Sequence, residues 1–251
     1  MILPLFEAIT DLNLPQQDEL LKELTDEGFI KRAVTGNLSF FEQATRNQAD
    51  HQSLLLSILR GNLDKHDPKF KELAENLLAK INSSEYGADL NETSVYLYQA
   101  LNFGNSGLSA QYSPKNVDKV KGAVDREFKN RKASNLYENS KLTQALHALG
   151  YKDAKFNEAV NGFSLDIYSA EQNMGILTQD SETLCYDRIA PNGVFQLKSR
   201  VAGSLEAKPK LFTVNLFTLN GLADKEAKIK YLTEQCGIPL VGDKIEDSVQ
   251  F

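Results

Sequence analysis

Leu211-Phe212-Thr213-Val214-Asn215-Leu216-Phe217-Thr218-Leu219 is the stretch whose reading decides the fold class. Branched and aromatic side chains fill it, and no charge interrupts it. Such a run fits a buried strand, because stiff branched side chains pack well on a pleated surface. Onward from it, Leu222, Ile229 and Leu232 recur at helical spacing as far as Gly237, which predicts a helix over residues 222–236. Ile238 to Val241 predicts one more short strand. Backward from it, Pro191-Asn192-Gly193 separates residues 182–190 from 194–202, and turn residues between two such runs predict a hairpin. These β-type runs and turn pairs begin near Asn161-Gly162.

Residues 1–160 follow a different pattern, read as helix after helix. Ile2, Leu5, Phe6, Ile9 and Leu12 hold the three-four spacing of one helical face. A long periodic run over 38–60 ends at Gly61, read as its left-handed exit. Over 67–82, Asp67 can cap and Pro68 suits the first turn, with Phe70, Leu73, Ala74, Leu77, Leu78 and Ile81 on one face. Residues 92–103 are apolar almost all round, which predicts a helix at the centre of the core. Val117, Val120, Val124 and Phe128 mark a narrower stripe behind Pro114. Leu142, Ala145, Leu146 and Leu149 mark another helix, ending at Gly150, and Phe156, Ala159 and Val160 predict a short one after it. The fold class is therefore mainly α with a smaller α+β C-terminal part. A multi-helix body spans 1–161, and a hairpin plus a strand–helix unit spans 162–251.

The chain has 251 residues, 41% of them hydrophobic and 25% charged, enough apolar material for a core without staples. Two cysteines, Cys185 and Cys236, do not make a disulfide framework and point to a reducing, cytoplasmic setting. The N-terminal residues lack a basic lead and a long apolar stretch, so no signal peptide is expected, and no run is long enough to span a bilayer.

Net charge is −6, and it is unevenly spread. Residues 1–27 hold seven acids against one base, a net −6. Residues 113–132 hold seven bases against three acids, and 188–210 five bases against one, each a net +4. A molecule with an acidic end and basic segments can orient on a charged partner, although solvated faces give the same count.

Local signatures of catalysis are not found. Gly104-Asn105-Ser106-Gly107 follows a helix and not a strand, opposite to the order a dinucleotide fold needs. His51, His66 and His147 are far apart, and no zinc-type spacing joins them to the cysteines, so no metal or cofactor is expected. Asp89, Asn91 and Thr93 begin like a calcium loop, but Ala100 stands where the closing Glu belongs. Cys236 falls in a last helical turn, where the dipole disfavours a thiolate. Cys185, followed by Tyr186, Asp187 and Arg188, has no histidine nearby in sequence.

The expectation that follows is a non-enzymatic interaction or assembly component with a protein partner. Arg188, Lys198 and Arg200 are its candidate partner-binding residues, because strand alternation would put Lys198 and Arg200 on one face of the hairpin. An enzyme with its site around residues 185–200 and Asn220-Gly221 is the alternative. Nucleic-acid binding through the basic segments 115–132 and 188–210 is the third reading.

Overall fold

A computed structural model describes residues 48–66, 68–83, 92–103, 136–160, 163–185 and 190–242, with the single positions Ala8, Thr10, Asp11, Leu108, Gln111, Tyr112, Gly122 and Arg126. Among the described residues, eight α-helices dominate, and a four-stranded mixed sheet lies in the C-terminal half. By its contacts the chain divides into two units, one of Met1–Val124 with Pro191–Lys198 and one of Asp125–Ala190 with Ser199–Phe251. No described helix is long and apolar enough to cross a membrane.

In the first unit, α1 (Gln48–Arg60) packs on both α3 (Pro68–Ser83) and α4 (Glu92–Phe103), and α2 (Leu63–His66) packs on α3. The expected stripe of α3 is the buried one: Phe70, Leu73, Ala74, Leu77, Leu78 and Ile81 are all shielded from solvent. α4 is buried nearly all round, as its composition requires. A polar link to α1 is satisfied inside the core, where the Ser94 hydroxyl donates to Gln52 Oε1 at 2.9 Å. The left-handed exit from α1 is not Gly61 but Asn62, with φ 56°, while Gly61 N–H still bonds to Ser57 O at 3.0 Å. Asparagine tolerates that conformation better than most residues. Arg60 then ties back to Asp11 at 2.8 Å, although burial holds the Asp11 carboxyl above its ordinary range despite the guanidinium. The apolar stripe from Ile2 to Leu12, the cap Asp67, the Gly104–Gly107 loop, the calcium-like start at Asp89 and Asn91, and nearly all of 113–132 lie outside the described residues.

In the second unit, α5 (Leu136–Ala148) leads into β1 (Lys155–Val160), β2 (Phe163–Ser169) and β3 (Met174–Gln179). The chain then passes through α6 (Gly193–Gly203), whose residues as far as Lys198 group with the first unit, to β4 (Lys210–Asn215), α7 (Leu216–Gly221), α8 (Lys225–Lys230) and a π-helical turn at Tyr231–Gln235. Sheet order is β1-β2-β3-β4, with the first two pairings antiparallel and β3–β4 parallel. Phe156, Ile167, Ile176 and Phe212 are cross-strand partners in one row. That row, with Met174 and Val214, packs against α5, α7, α8 and the π turn. Met174 to Thr178 are all buried although their side chains alternate between faces, so both faces of β3 are covered. At Gly175 a Cβ would lie 2.9 Å from Leu165 Cδ1 and 3.0 Å from Leu211 Cδ2, so those two side chains would have to shift to admit one.

Four local expectations are corrected. Phe156, Ala159 and Val160 lie on β1 and not on a helix, because the 155–160 segment pairs along β2. Tertiary pairing outweighs a helical spacing that rests on three residues. The second arm of the expected hairpin, 194–202, is α6. Cys185 N–H does bond to Ala190 O at 2.8 Å, so the chain doubles back. But Asn192 Oδ1 accepts the Phe195 N–H at 3.1 Å, the geometry of a helix N-cap and not of a hairpin turn. The run 211–219 is strand only to Asn215, which then caps α7 by accepting the Thr218 N–H at 3.1 Å. Residues 238–241 form no strand. Val241 N–H instead bonds to Leu149 O at 2.8 Å, over the end of α5.

That end is a Schellman turn, with Gly150 N–H on His147 O at 3.0 Å and Tyr151 N–H on Leu146 O at 2.9 Å. Gly150 takes φ 96°, and a Cβ there would strike the Val241 carbonyl.

Leu77 lies midway along α3 and Leu101 in the last turn of α4, and they are 3% and 0% exposed. Truncating either to alanine is expected to cost about 2–5 kcal/mol, read as a lower urea midpoint at unchanged slope. Midpoints equal to the parent's would contradict this packing.

Candidate functional site

Of the three residues that the charge pattern singles out, Arg188 lies outside the described residues. Lys198 and Arg200 are on α6, both half-buried, and both also interact within the fold. Two positions apart on a helix lie roughly 200° apart around its axis, so the shared face that strand alternation would give them does not form. Among the described bases of 188–210, Lys208, in the connection from α6 to β4, and Lys210, the first residue of β4, stand out into solvent, and Glu206 is exposed beside them. Arg126, from the other basic segment, is exposed as well.

Beside the carboxyl end of β4 lie two groups with displaced proton affinities, Tyr231 and Cys236. Tyr231 Oη accepts the Asn215 N–H at 3.0 Å and lies 3.4 Å from Asn215 O. Cys236 sits five residues after Tyr231, a spacing that an α-helix would put on different sides. The π turn changes this: Cys236 N–H bonds to Tyr231 O at 3.0 Å, and the thiol comes near enough to the phenol to act on its proton affinity. Burial, with the thiol beside it, pushes the Tyr231 phenol up to about 12. Burial likewise pushes the Cys236 thiol up, against the effect of Tyr231. Both groups are thus held protonated at neutral pH. The pair can donate hydrogen bonds but does not present a thiolate for attack. The helical dipole invoked for Cys236 from the sequence acts in the same direction as the burial found here. Asn220-Gly221, taken from the sequence as a strand end, closes α7, and the strand end is Asn215.

Other polar groups of this unit are occupied in holding loops. Burial raises the Asp153 carboxyl, but the N–H of Glu171 at 2.9 Å, the Ser169 hydroxyl at 2.6 Å and the N–H of Ala170 outweigh it, and the net shift is downward. Asp153 thereby fastens the α5–β1 connection to the β2–β3 turn. Asp166 is buried and accepts both the Thr178 N–H at 2.7 Å and its hydroxyl at 3.0 Å. Lys228 is buried with its Nζ on Leu222 O at 2.7 Å and Asp224 O at 3.4 Å, which neutralises the carbonyl end of α7. Among the described residues no three histidine, cysteine or acidic side chains come together as metal ligands.

Compared with known protein families, with curated proteins and with solved structures, the chain matches none.

The Tyr231 shift fixes a sign. A phenol whose folded value is raised lends stability that is present below the unfolded value near 10 and is lost as pH rises toward about 12. Tyr231→Phe is expected to flatten stability against pH between those values, with the buried Tyr151 still contributing. At neutral pH the variant should lose about 1 kcal/mol for the missing hydrogen bond. Chemical denaturation at a series of alkaline pH values reads both, and a slope identical to the parent's would contradict the burial of this hydroxyl.

Proposed function

We propose that the protein is a non-enzymatic interaction or assembly component that binds a protein partner through its charge-polarised surfaces, in a reducing, cytoplasmic setting. The observation that carries this reading is the segregation of charge. A chain of net −6 holds all of that excess in residues 1–27, and two segments, 113–132 and 188–210, each stand at +4. Arg126, Lys208 and Lys210 are solvent-exposed members of those segments, which supports contact with an acidic surface. Arg188, Lys198 and Arg200 remain the proposed partner-binding residues, with Lys198 and Arg200 acting from different sides of one helix. Binding of this kind needs no cofactor and no metal.

An enzyme with its site in the C-terminal part is the second reading, and the Tyr231–Cys236 pair at the end of β4 supports it. Hydrogen-bond donation to a substrate is the role that pair could fill. Nucleic-acid binding through 115–132 and 188–210 is the third, and nuclease treatment separates it from the first.

The test is recovery of partners by the full chain carrying Lys198→Glu and Arg200→Glu together, over a range of salt concentrations. Expected are a marked loss of nuclease-resistant protein partners, a flatter salt dependence of what remains, and a melting temperature within a few degrees of the parent's. Unchanged recovery by the double variant would overturn the reading.

A further inference from the structure

A parallel ladder turns alternate residues of a marginal strand inward, and leaves the N–H and C=O of the others directed away from the sheet. Lys210 N–H bonds to Asn173 O at 2.9 Å, and Met174, Ile176 and Thr178 register with Lys210, Phe212 and Val214. The even-numbered residues of β4 therefore bond toward β3, and Leu211, Thr213 and Asn215 face outward. Tyr231 Oη takes the N–H of Asn215, which closes that end of the margin. Among the described residues, Leu211 and Thr213 remain. β4 is the last strand in the order β1-β2-β3-β4, no described strand lies on its outer side, and Thr213 is exposed.

Open strand margins are templates for another chain, and proteins restrict them with short length and charge. Both restrictions are present here, and together they select a partner. The usable length is bounded by Tyr231 at one end. At the other stand Lys208 and Lys210, both exposed. Over residues 199–215 three bases, Arg200, Lys208 and Lys210, meet one acid, Glu206. Lys210 lies over the Phe212 ring, its Nζ 5.2 Å from the centroid, which places its charge along the face of β4. A neutral or basic strand gains nothing from that charge, whereas an acidic side chain opposite Lys210 gains a cross-strand pair.

We propose that the margin of β4 at Leu211 and Thr213 receives an extended acidic segment of a partner protein as an added strand. This rests on the charge-mediated binding argued above and names the element that performs it. The backbone of the incoming segment supplies hydrogen bonds to Leu211 and Thr213, and its acidic side chains meet Lys208 and Lys210.

The probe is a synthetic peptide of alternating Glu and Val, blocked at both ends, added to the nitrogen-labelled full chain. Amide exchange is followed residue by residue. Expected is saturable slowing of exchange at Leu211 and Thr213. The effect should vanish with the same peptide methylated at its backbone nitrogens, and weaken about tenfold when Lys208→Glu and Lys210→Glu are combined. The peptide-side control keeps the result interpretable even if a variant folds poorly. No saturable binding, binding without protection of Leu211 and Thr213, or equal binding of an alternating Lys and Val peptide would each overturn the proposal. Failure here, with the Lys198 and Arg200 charge reversals still abolishing partner recovery, would leave charge-mediated binding standing and remove only the strand addition.

Discussion

Ile167 and Ile176 face each other across β2 and β3, both wholly removed from water, and the second unit is organised around covering them. Each such side chain is worth about 1.5–3 kcal/mol when buried, and only a lid of apolar helices supplies that burial on this face. α5, α7, α8 and the π turn form the lid, through Leu146, Leu149, Leu216, Leu219, Ile229 and Leu232 among others. A lid built from both ends of the unit's sequence needs a fastening, and residues 238–241 provide it. The Tyr151 hydroxyl donates to Pro239 O at 2.8 Å, and Ile238 is buried beside it. Gly150 lets the Val241 backbone approach the end of α5 where any side chain would obstruct it.

The π turn follows from the same constraint. Tyr231 and Leu232 must both reach the core, yet the phenolic oxygen must also find a polar partner. Widening the helix at Tyr231–Gln235 lets the ring lie in the core with its hydroxyl on the backbone of Asn215. The outward N–H of the last β4 residue is thereby satisfied, and α7 can begin at once. One side chain thus joins lid to sheet and limits how far the sheet could be extended.

Much of the helical framework was legible because it depends on local periodicity. The stripe from Phe70 to Ile81 and the apolar run 92–103 are helices with the expected buried faces, and Gly150 and Gly237 end helices in left-handed conformations. What was not legible depends on partners distant in sequence or on the role of a single asparagine. Asn192 and Asn215 look like turn and strand residues, and each instead caps a helix by accepting an N–H three residues on. Those two caps converted an expected hairpin arm into α6 and split one apolar run into β4 and α7. The few apolar residues of β1 happen to fit helical spacing, while its pairing with β2 lies outside any local window. The Tyr231–Cys236 contact could not be anticipated, since a five-residue spacing brings side chains together only where a helix widens. Charge segregation was plain in the sequence, but the face that Lys198 and Arg200 would share was lost with the hairpin.

Everything proposed for the margin of β4 depends on its parallel register with β3 and on its place as the last strand. Residue-resolved hydrogen exchange of the intact chain, with no peptide added, tests this most directly. Expected is an alternation along β4, with slow exchange at Phe212 and Val214, whose N–H groups bond to β3, and fast exchange at Leu211 and Thr213, whose N–H groups face outward. Protection at Leu211 and Thr213 equal to that at Phe212 and Val214 would contradict it.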